Sequence, residues 1–567
     1  MRRAIIAILA FFVIVGPSLS PATADPVLQF APAQDTVHTS GGFVPPSVDL
    51  SHVTLPPFDP SKAGPLPARY DVRDLGIVTP VKNQGVCGAC YAFAMAGDIE
   101  ATVLRDYDAL VDISENHLKE CHFEGRSCDG GNAQMVANLS SADATRNETC
   151  DPYVASDTAC NTGCDPYFSV LQWRWLTGDG AVDTEAIKQA IMDHGPISTS
   201  VYAGDESNTS WWTAFSNWNG GSGLYHVGSE TNNHAVMLVG WDDDHPHDGG
   251  GTGCWIMRNS WGNGWNDSCD FAGESGYCYI AYGSAGIGEY SSVVTEVMPS
   301  YPELAVVGHD EAGWQASVGY GSTVAWAMVR IDATETTNLH RVEFWSNDAG
   351  SGVHVYVYDQ FSGGTLSGLL DSRIDVNIPA AGYHSVDLGS PLSMVAGNDY
   401  YVVVRYNNDT GTFPVAVDNV GPFGSGQSWV SFTGSSWNDL SASSCDAGIR
   451  VRTSPHLVLP IEDDDPQTPP VVVQADEFRL HAPWPNPFNP ATTVSFTLGE
   501  PTTVSLKVYD LQGRLVRTLS QGFLHAGQHH VRWNGRDHGD RAVAAGVYVC
   551  RLDDGWRQRT QRLVLVR

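Results

Sequence analysis

The spacing of apolar and polar positions changes character along the chain. From Cys90 to Arg105 apolar residues recur at helical spacing, and Ser114-Glu115-Asn116-His117 opens a short helical stretch that ends at Cys121. Further on, the pattern turns strand-like at Ile197 to Tyr202, Ala235 to Trp241, Cys254 to Arg258 and Gly276 to Tyr282. Helices first and strands later predict an α+β domain of two lobes over Leu66 to Val297. From Tyr301 to Thr453 short alternating segments follow one another between Gly, Ser and Asn turns, as in Arg341 to Trp345, Val353 to Tyr358 and Tyr400 to Arg405. That pattern predicts a β-sandwich. A last set of strands, Thr493–Leu498, Val504–Tyr509, His530–Trp533, Gly546–Leu552 and Gln561–Val566, predicts a second and smaller sandwich of immunoglobulin-like type. The expected division is 66–297, 300–454 and 478–567 for the three folded units. Residues 455–477, with Glu462-Asp463-Asp464-Asp465-Pro466, form a linker, and the Pro-, Ser- and Thr-rich 25–65 a linker or short pro-segment.

Composition agrees with a folded, exported chain. At 567 residues it is too long for one core, and 42% hydrophobic residues with 17 Trp exclude a mainly disordered chain. A net charge of -33 argues against nucleic acid, whose phosphates would be repelled. The acidity is uneven: from Arg479 onward 12 Lys/Arg stand against 6 Asp/Glu. Arg2 and Arg3, the apolar run Ala4 to Val15 and the small-residue site Ala22-Thr23-Ala24 read as a secretory signal peptide over 1–24. Twelve cysteines in an exported chain then point to disulfides.

The chemistry gathers around Gln84-Gly85-Val86-Cys87-Gly88-Ala89-Cys90-Tyr91. This stretch delivers Cys90 to the first turn of a helix, where the macrodipole and free N–H groups stabilise a thiolate. Acyl transfer by a thiolate also needs an imidazole, a group that orients it and donors for the oxyanion. His234, in Asn232-Asn233-His234-Ala235-Val236, supplies the imidazole. Asn259, in Arg258-Asn259-Ser260-Trp261-Gly262, supplies the orienting amide, and Gln84 with the Cys90 N–H the oxyanion donors. His245 and His247 beside Asp242-Asp243-Asp244 sit in a Gly-rich turn and are not expected to hold a metal; no cofactor is expected either.

Gln84 to Tyr91 resembles the active-site signature of papain-like cysteine peptidases. Pro80-Val81-Lys82-Asn83-Gln84, Ser127-Cys128-Asp129-Gly130-Gly131-Asn132 and Gly195-Pro196-Ile197 resemble further family segments in family order. The resemblance implies that Gly130 and Gly131 bind the backbone of an extended substrate. It implies that Asn132, Ala133 and Ala235 line the pocket for the residue two before the scissile bond, and that Trp261 shields the His234–Asn259 bond. It also implies a Cys87–Cys128 disulfide, with Cys121 pairing with Cys160 or Cys164. Cys150, Cys254, Cys269 and Cys278 have no assignable partners, and Cys445 and Cys550 stand singly in the trailing domains. The family's long helical pro-segment has no counterpart in 25–65, which puts control by such a domain in doubt.

Gly313-Trp314-Gln315-Ala316-Ser317-Val318-Gly319-Tyr320-Gly321 and Ala325-Trp326 resemble the lectin-like β-domain fused behind some prokaryotic peptidases of this kind. A glycan is the partner implied for 300–454, although core packing accounts for most of its aromatic residues. Pro483 to Pro490, Val508-Tyr509-Asp510 and Gly546-Val547-Tyr548 resemble C-terminal sorting domains with an Ig-like fold, implying outer-membrane secretion machinery as a partner of 478–567. The expectation is a secreted or cell-surface bacterial cysteine endopeptidase acting on protein or peptide substrates. A transpeptidase on the same site, or a surface adhesin with an inert peptidase domain, are the alternatives.

Overall fold

The computed structural model describes residues 26–31, 42–60, 65–107, 109–180, 182–265, 275–455 and most of 478–566. The expected signal peptide, Cys269 and residues 456–477 of the expected linker lie outside the described residues.

The first lobe is built on helix α1 (Cys90–Tyr107), with α2 (Glu115–Glu120) and α3 (Ala133–Ala142) beside it. Every residue of α1 from Cys90 to Val103 is buried, so this helix is a central rod with no solvent face over that span. Its two buried carboxylates are used as ties. Asp98 accepts the Val294 N–H, and Glu100 accepts from Thr79 Oγ1, Lys82 Nζ and the Ile113 N–H. Gly97 is where the rod touches the second lobe: a Cβ there would meet Met237 Sδ at 2.5 Å. Helices α2 and α3 start on side-chain caps from Ser114 and Asn132, each accepting the N–H three residues on.

The second lobe is antiparallel, in the order Phe168–Trp175, Ser292–Pro299, Ile197–Val201, His234–Pro246, Thr252–Arg258, Tyr277–Ala281. Helices α4 (Thr184–His194) and α5 (Thr209–Ser216) flank it. The register sets the site: Val201 pairs with His234, and Met237 with Arg258, so Asn259 follows directly at the strand end. Phe168–Trp175 was not among the expected strands, although Leu171-Gln172-Trp173-Arg174-Trp175 alternates and only Gln172 and Arg174 are half-buried.

The next unit is a sandwich. One sheet runs in the order Thr365–Ile378, Gly350–Ser362, Asp399–Asn407, Val324–Asp332, Ser428–Ser431, Asn438–Asp439. The other contains Ala316–Gly319, Val415–Asp418, Thr337–Ser346, Gly382–Met394 and Ile449–Ser454. This second sheet continues into the first domain, since Gly382 and Tyr383 pair with Arg174 and Trp173. Buried arginines line the same seam: Arg450 donates to Asn138 Oδ1, and Arg452 to Ser169 Oγ and the Ser141 carbonyl. The last unit is a small sandwich of three strands (Phe478–Leu480, Thr492–Leu498, Gly527–Trp533) and four (Leu515–Leu524, Thr502–Tyr509, Gly546–Asp553, Gln558–Leu565) around Phe496, Leu506 and Trp533.

Candidate active site

Cys90 opens α1, and its thiol is fully buried. The Ala235 N–H donates to Cys90 Sγ at 3.2 Å, which sets the thiol beside the residue that follows His234. His234 Nε2 donates to Asn259 Oδ1 at 2.8 Å, and the Ser260 N–H donates to the same oxygen, fixing the amide's orientation. The Trp261 ring lies 5.0 Å from the imidazole, and Phe215 of α5 lies edge-on to both. An aromatic cover of this kind excludes water from the His234–Asn259 bond. Gln84 is pinned on both sides: its Oε1 accepts from Ser260 Oγ at 2.6 Å, and its Nε2 donates to the Cys87 carbonyl at 2.9 Å. An amide nitrogen carries two hydrogens, so one remains for an oxyanion. The structure thus brings Cys90, His234, Asn259 and Gln84 together from both lobes.

Disulfides hold the opposite wall. Cys87–Cys128 ties the loop before Cys90 to Ser127-Cys128-Asp129-Gly130-Gly131, and Cys121 takes Cys160, leaving Cys164 to Cys150. Cys254, Cys445 and Cys550 are buried thiols. His245 bonds the Gly221 carbonyl and stacks on Tyr279, while Asp243 accepts from Lys188 and Tyr282.

The site is covered by the chain's own N-terminal segment. Residues 42–53 do not run as a loose linker; Phe43, Val44, Val48, Leu50 and Val53 are all buried. The Val44 N–H donates to the Gly131 carbonyl at 2.9 Å, and the Gly131 N–H to the Gly42 carbonyl at 3.1 Å. The Phe43 N–H donates to the Asn233 carbonyl, and Asn132 Nδ2 to the Val44 carbonyl. Phe43 shares a buried cluster with Ala133 and Ala235, with its ring 5.5 Å from Tyr290. Gly42 faces the thiol so closely that a Cβ would lie 2.8 Å from Cys90 Sγ. A peptide segment therefore occupies the surface formed by Gly130, Gly131, Asn132, Ala133 and Ala235. Beyond it, a cleft of about 540 Å³ stays open between Gln84, Gly88, Trp212, His234 and Trp261.

Burial acts on both reacting groups. Burial pushes the Cys90 thiol up to about 12, against the opposing N–H groups of Ala235, Tyr91, Cys90 and Gly42. Burial also pulls His234 down to about 4, against its bond to Asn259. Both shifts work against the thiolate–imidazolium pair that acyl transfer needs. Three contributors were missed in the sequence: Asn233 as backbone acceptor, Ser260 as the clamp on Gln84, and the segment Gly42–Val44. Ser260 lies inside the Asn259 motif and was in plain view; Gly42-Phe43-Val44 carries no periodic signal.

Comparison with known proteins bears on the domains. Residues 66–297 match the papain family cysteine protease model, 306–453 the lectin like domain, and 488–553 the FlgD Ig-like domain. The chain thus carries a papain-family peptidase domain, a lectin-like domain and an Ig-like domain. It is similar to cathepsin K of Mus musculus, 31% identical over 42% of this chain and 66% of that protein. It is also similar to a cathepsin L-like protein of Caenorhabditis elegans, 33% identical over 38% of this chain and 59% of that protein. It spans 59% to 66% of the length of these two relatives. In fold it resembles the cysteine protease and lectin-like domains of Cwp84, a surface layer associated protein of Clostridium difficile. The TM-score is 0.62 at 19% identity, covering 77% of this chain and 100% of that one. A second structure of Cwp84, a variant after propeptide cleavage, gives a TM-score of 0.56 at 20% identity over 68% and 99% of the two chains.

Proposed function

We propose that the chain is an exported cysteine endopeptidase that hydrolyses peptide bonds at Cys90. One observation carries the reading: the bonded set of His234, Asn259, Ser260 and Gln84 around the Cys90 thiol, beside a Gly131 backbone already engaged with peptide. With the cover removed, the Cys90 thiolate attacks the scissile carbonyl while Gln84 and the Cys90 N–H hold the oxyanion. His234 protonates the leaving amine and then takes a proton from the water that hydrolyses the thioester. Asn259 keeps the imidazole edge aimed at sulfur, and Trp261 keeps water from that bond.

Export rests on the signal-like segment 1–24, and delivery through an outer-membrane secretion machine on the Ig-like segment 478–567. For the lectin-like unit, Trp326 and Tyr356, stacked 5.9 Å apart and packed with the Met328–Tyr401 cluster outside the main sandwich core, are where a glycan would stack.

The test is Cys90→Ala in the full chain, assayed after leader removal against a peptide library and with an epoxide thiol probe. Cleavage and labelling are expected in the wild type and lost in the variant. A wild type that neither cleaves nor labels sinks the reading, and products joined to an added amine rather than to water mark transfer. Deleting 478–567 should leave the protein in the cell envelope; unchanged export removes the sorting role.

A further inference from the structure

The segment that fills the cleft meets it partly through hydrogen bonds. Its hydrogen bonds to the cleft are three backbone bonds, at Phe43, Val44 and Gly131, and the Asn132 amide bond. Each such bond is worth only about 1 kcal/mol net, which scarcely offsets the ordering of the residues that make them. Burial of Phe43, Val48, Leu50 and Val53 in a cluster shared with the peptidase core adds to these bonds.

Val53 accepts the Gly178 N–H of the peptidase domain, and a further set of leader contacts has its partners in the lectin-like domain. On the N-terminal side, Gln29–Phe30 adds an antiparallel strand to the edge of Ala316–Gly319, with Gln29 opposite Gly319 and Phe30 opposite Val318. The Ala31 N–H donates to the Ser317 carbonyl at 2.8 Å, and Leu28 packs against the sandwich core. On the C-terminal side, Ser47 Oγ donates to Gln315 Oε1 at 3.4 Å, and the His52 ring bonds the Asn347 carbonyl at 2.6 Å. The cleft residues Gly42–Val44 are bracketed between these two anchorages.

We propose that the lectin-like domain is the anchor of an autoinhibitory strap: it binds the leader at residues 28–31 and again at Ser47 and His52, and thereby holds Gly42–Val44 over Cys90. The proposal rests on the peptidase reading above. Strand addition supplies main-chain hydrogen bonds and a pocket for Leu28, as in other β-augmentation sites. Tethering on both sides raises the local concentration of the cleft residues, so weak cleft contacts suffice for closure. Release then requires the strand to leave the Ala316–Gly319 edge as well as the cleft, which makes the lectin-like domain the place where activation is controlled.

Two measurements test this. Synthetic peptides 26–53 and 42–53 are compared as inhibitors of the full chain after cutting at a protease site inserted in 61–64 and washing the leader away. The longer peptide should inhibit about a hundredfold more tightly; equal inhibition overturns the proposal. In the uncut chain, Leu28→Asp with Ala31→Pro, and His52→Ala separately, should speed epoxide labelling of Cys90 by about tenfold or more. Labelling at the wild-type rate, with rapid labelling of the cut wild type, also overturns it. If the cut wild type does not label or cleave at all, the peptidase reading has failed instead, and the two failures are thereby told apart.

Discussion

At the seam between the peptidase and lectin-like domains, Arg452 lies fully buried with both oxygens of Glu343 at 2.8 and 2.9 Å. In the cleft, Cys90 and His234 are as dry, but no ion stands opposite them among the described hydrogen bonds. The outcomes diverge accordingly. Burial would raise the Glu343 carboxyl, yet the Arg452 guanidinium and the Tyr383 hydroxyl outweigh it and hold the group below its ordinary value. In the cleft nothing outweighs burial, which pushes the Cys90 thiol up and pulls the His234 imidazole down. The seam is dry because it was built closed, each guanidinium meeting its acceptors. The cleft is dry because a detachable segment covers it, and its polar groups await a partner that arrives with substrate and water.

If that contrast holds, substitutions in the cleft should cost rate while leaving stability intact, and those in the seam the reverse. The largest effect is expected for His234→Ala, a loss of about 10²–10⁴-fold in kcat of the leader-free protein with an unchanged urea midpoint. Next comes Arg452→Met, which strands Glu343 and should cost about 3–5 kcal/mol in urea unfolding; adding Glu343→Leu should restore most of it. Failure of that second substitution to rescue would mean that the seam depends on packing more than on charge. Gln84→Ala should lower kcat by about 10²–10³-fold with little change in KM. The smallest effect is on pH. In the covered chain His234 is held near 4 against an ordinary value of 6.5, so the covered form refuses a proton that an open imidazole accepts. Lowering the pH across that window therefore favours uncovering, and epoxide labelling of the uncut chain, read after return to neutral pH, should rise with acid pre-incubation.

The sequence carried the catalytic elements well because their periodicity is strong and their motifs are local. Cys90 to Arg105 was legible as a helix, and the strand of His234 began one residue before its expected start at Ala235. Sites made by long-range pairing left no such mark. Gln29–Phe30 is a strand only because Ala316–Gly319 offers it an edge. The cysteine pairs followed the same division. Cys87–Cys128 came from a family likeness, whereas the choice between Cys160 and Cys164 for Cys121 depends on a fold that sequence spacing does not encode.

The pairing of Gln29 with Gly319 has a consequence for biosynthesis. A ribosome makes the leader well before its seat, so the N-terminal strand has no edge to join until the chain has been extended past Gly319. The loop closed by that pairing spans the whole peptidase domain, which makes it a contact of high order and a late event in folding. The protein acquires its restraint only when the second domain is complete, and a chain truncated before Gly319 would carry the catalytic residues without the edge that holds the leader.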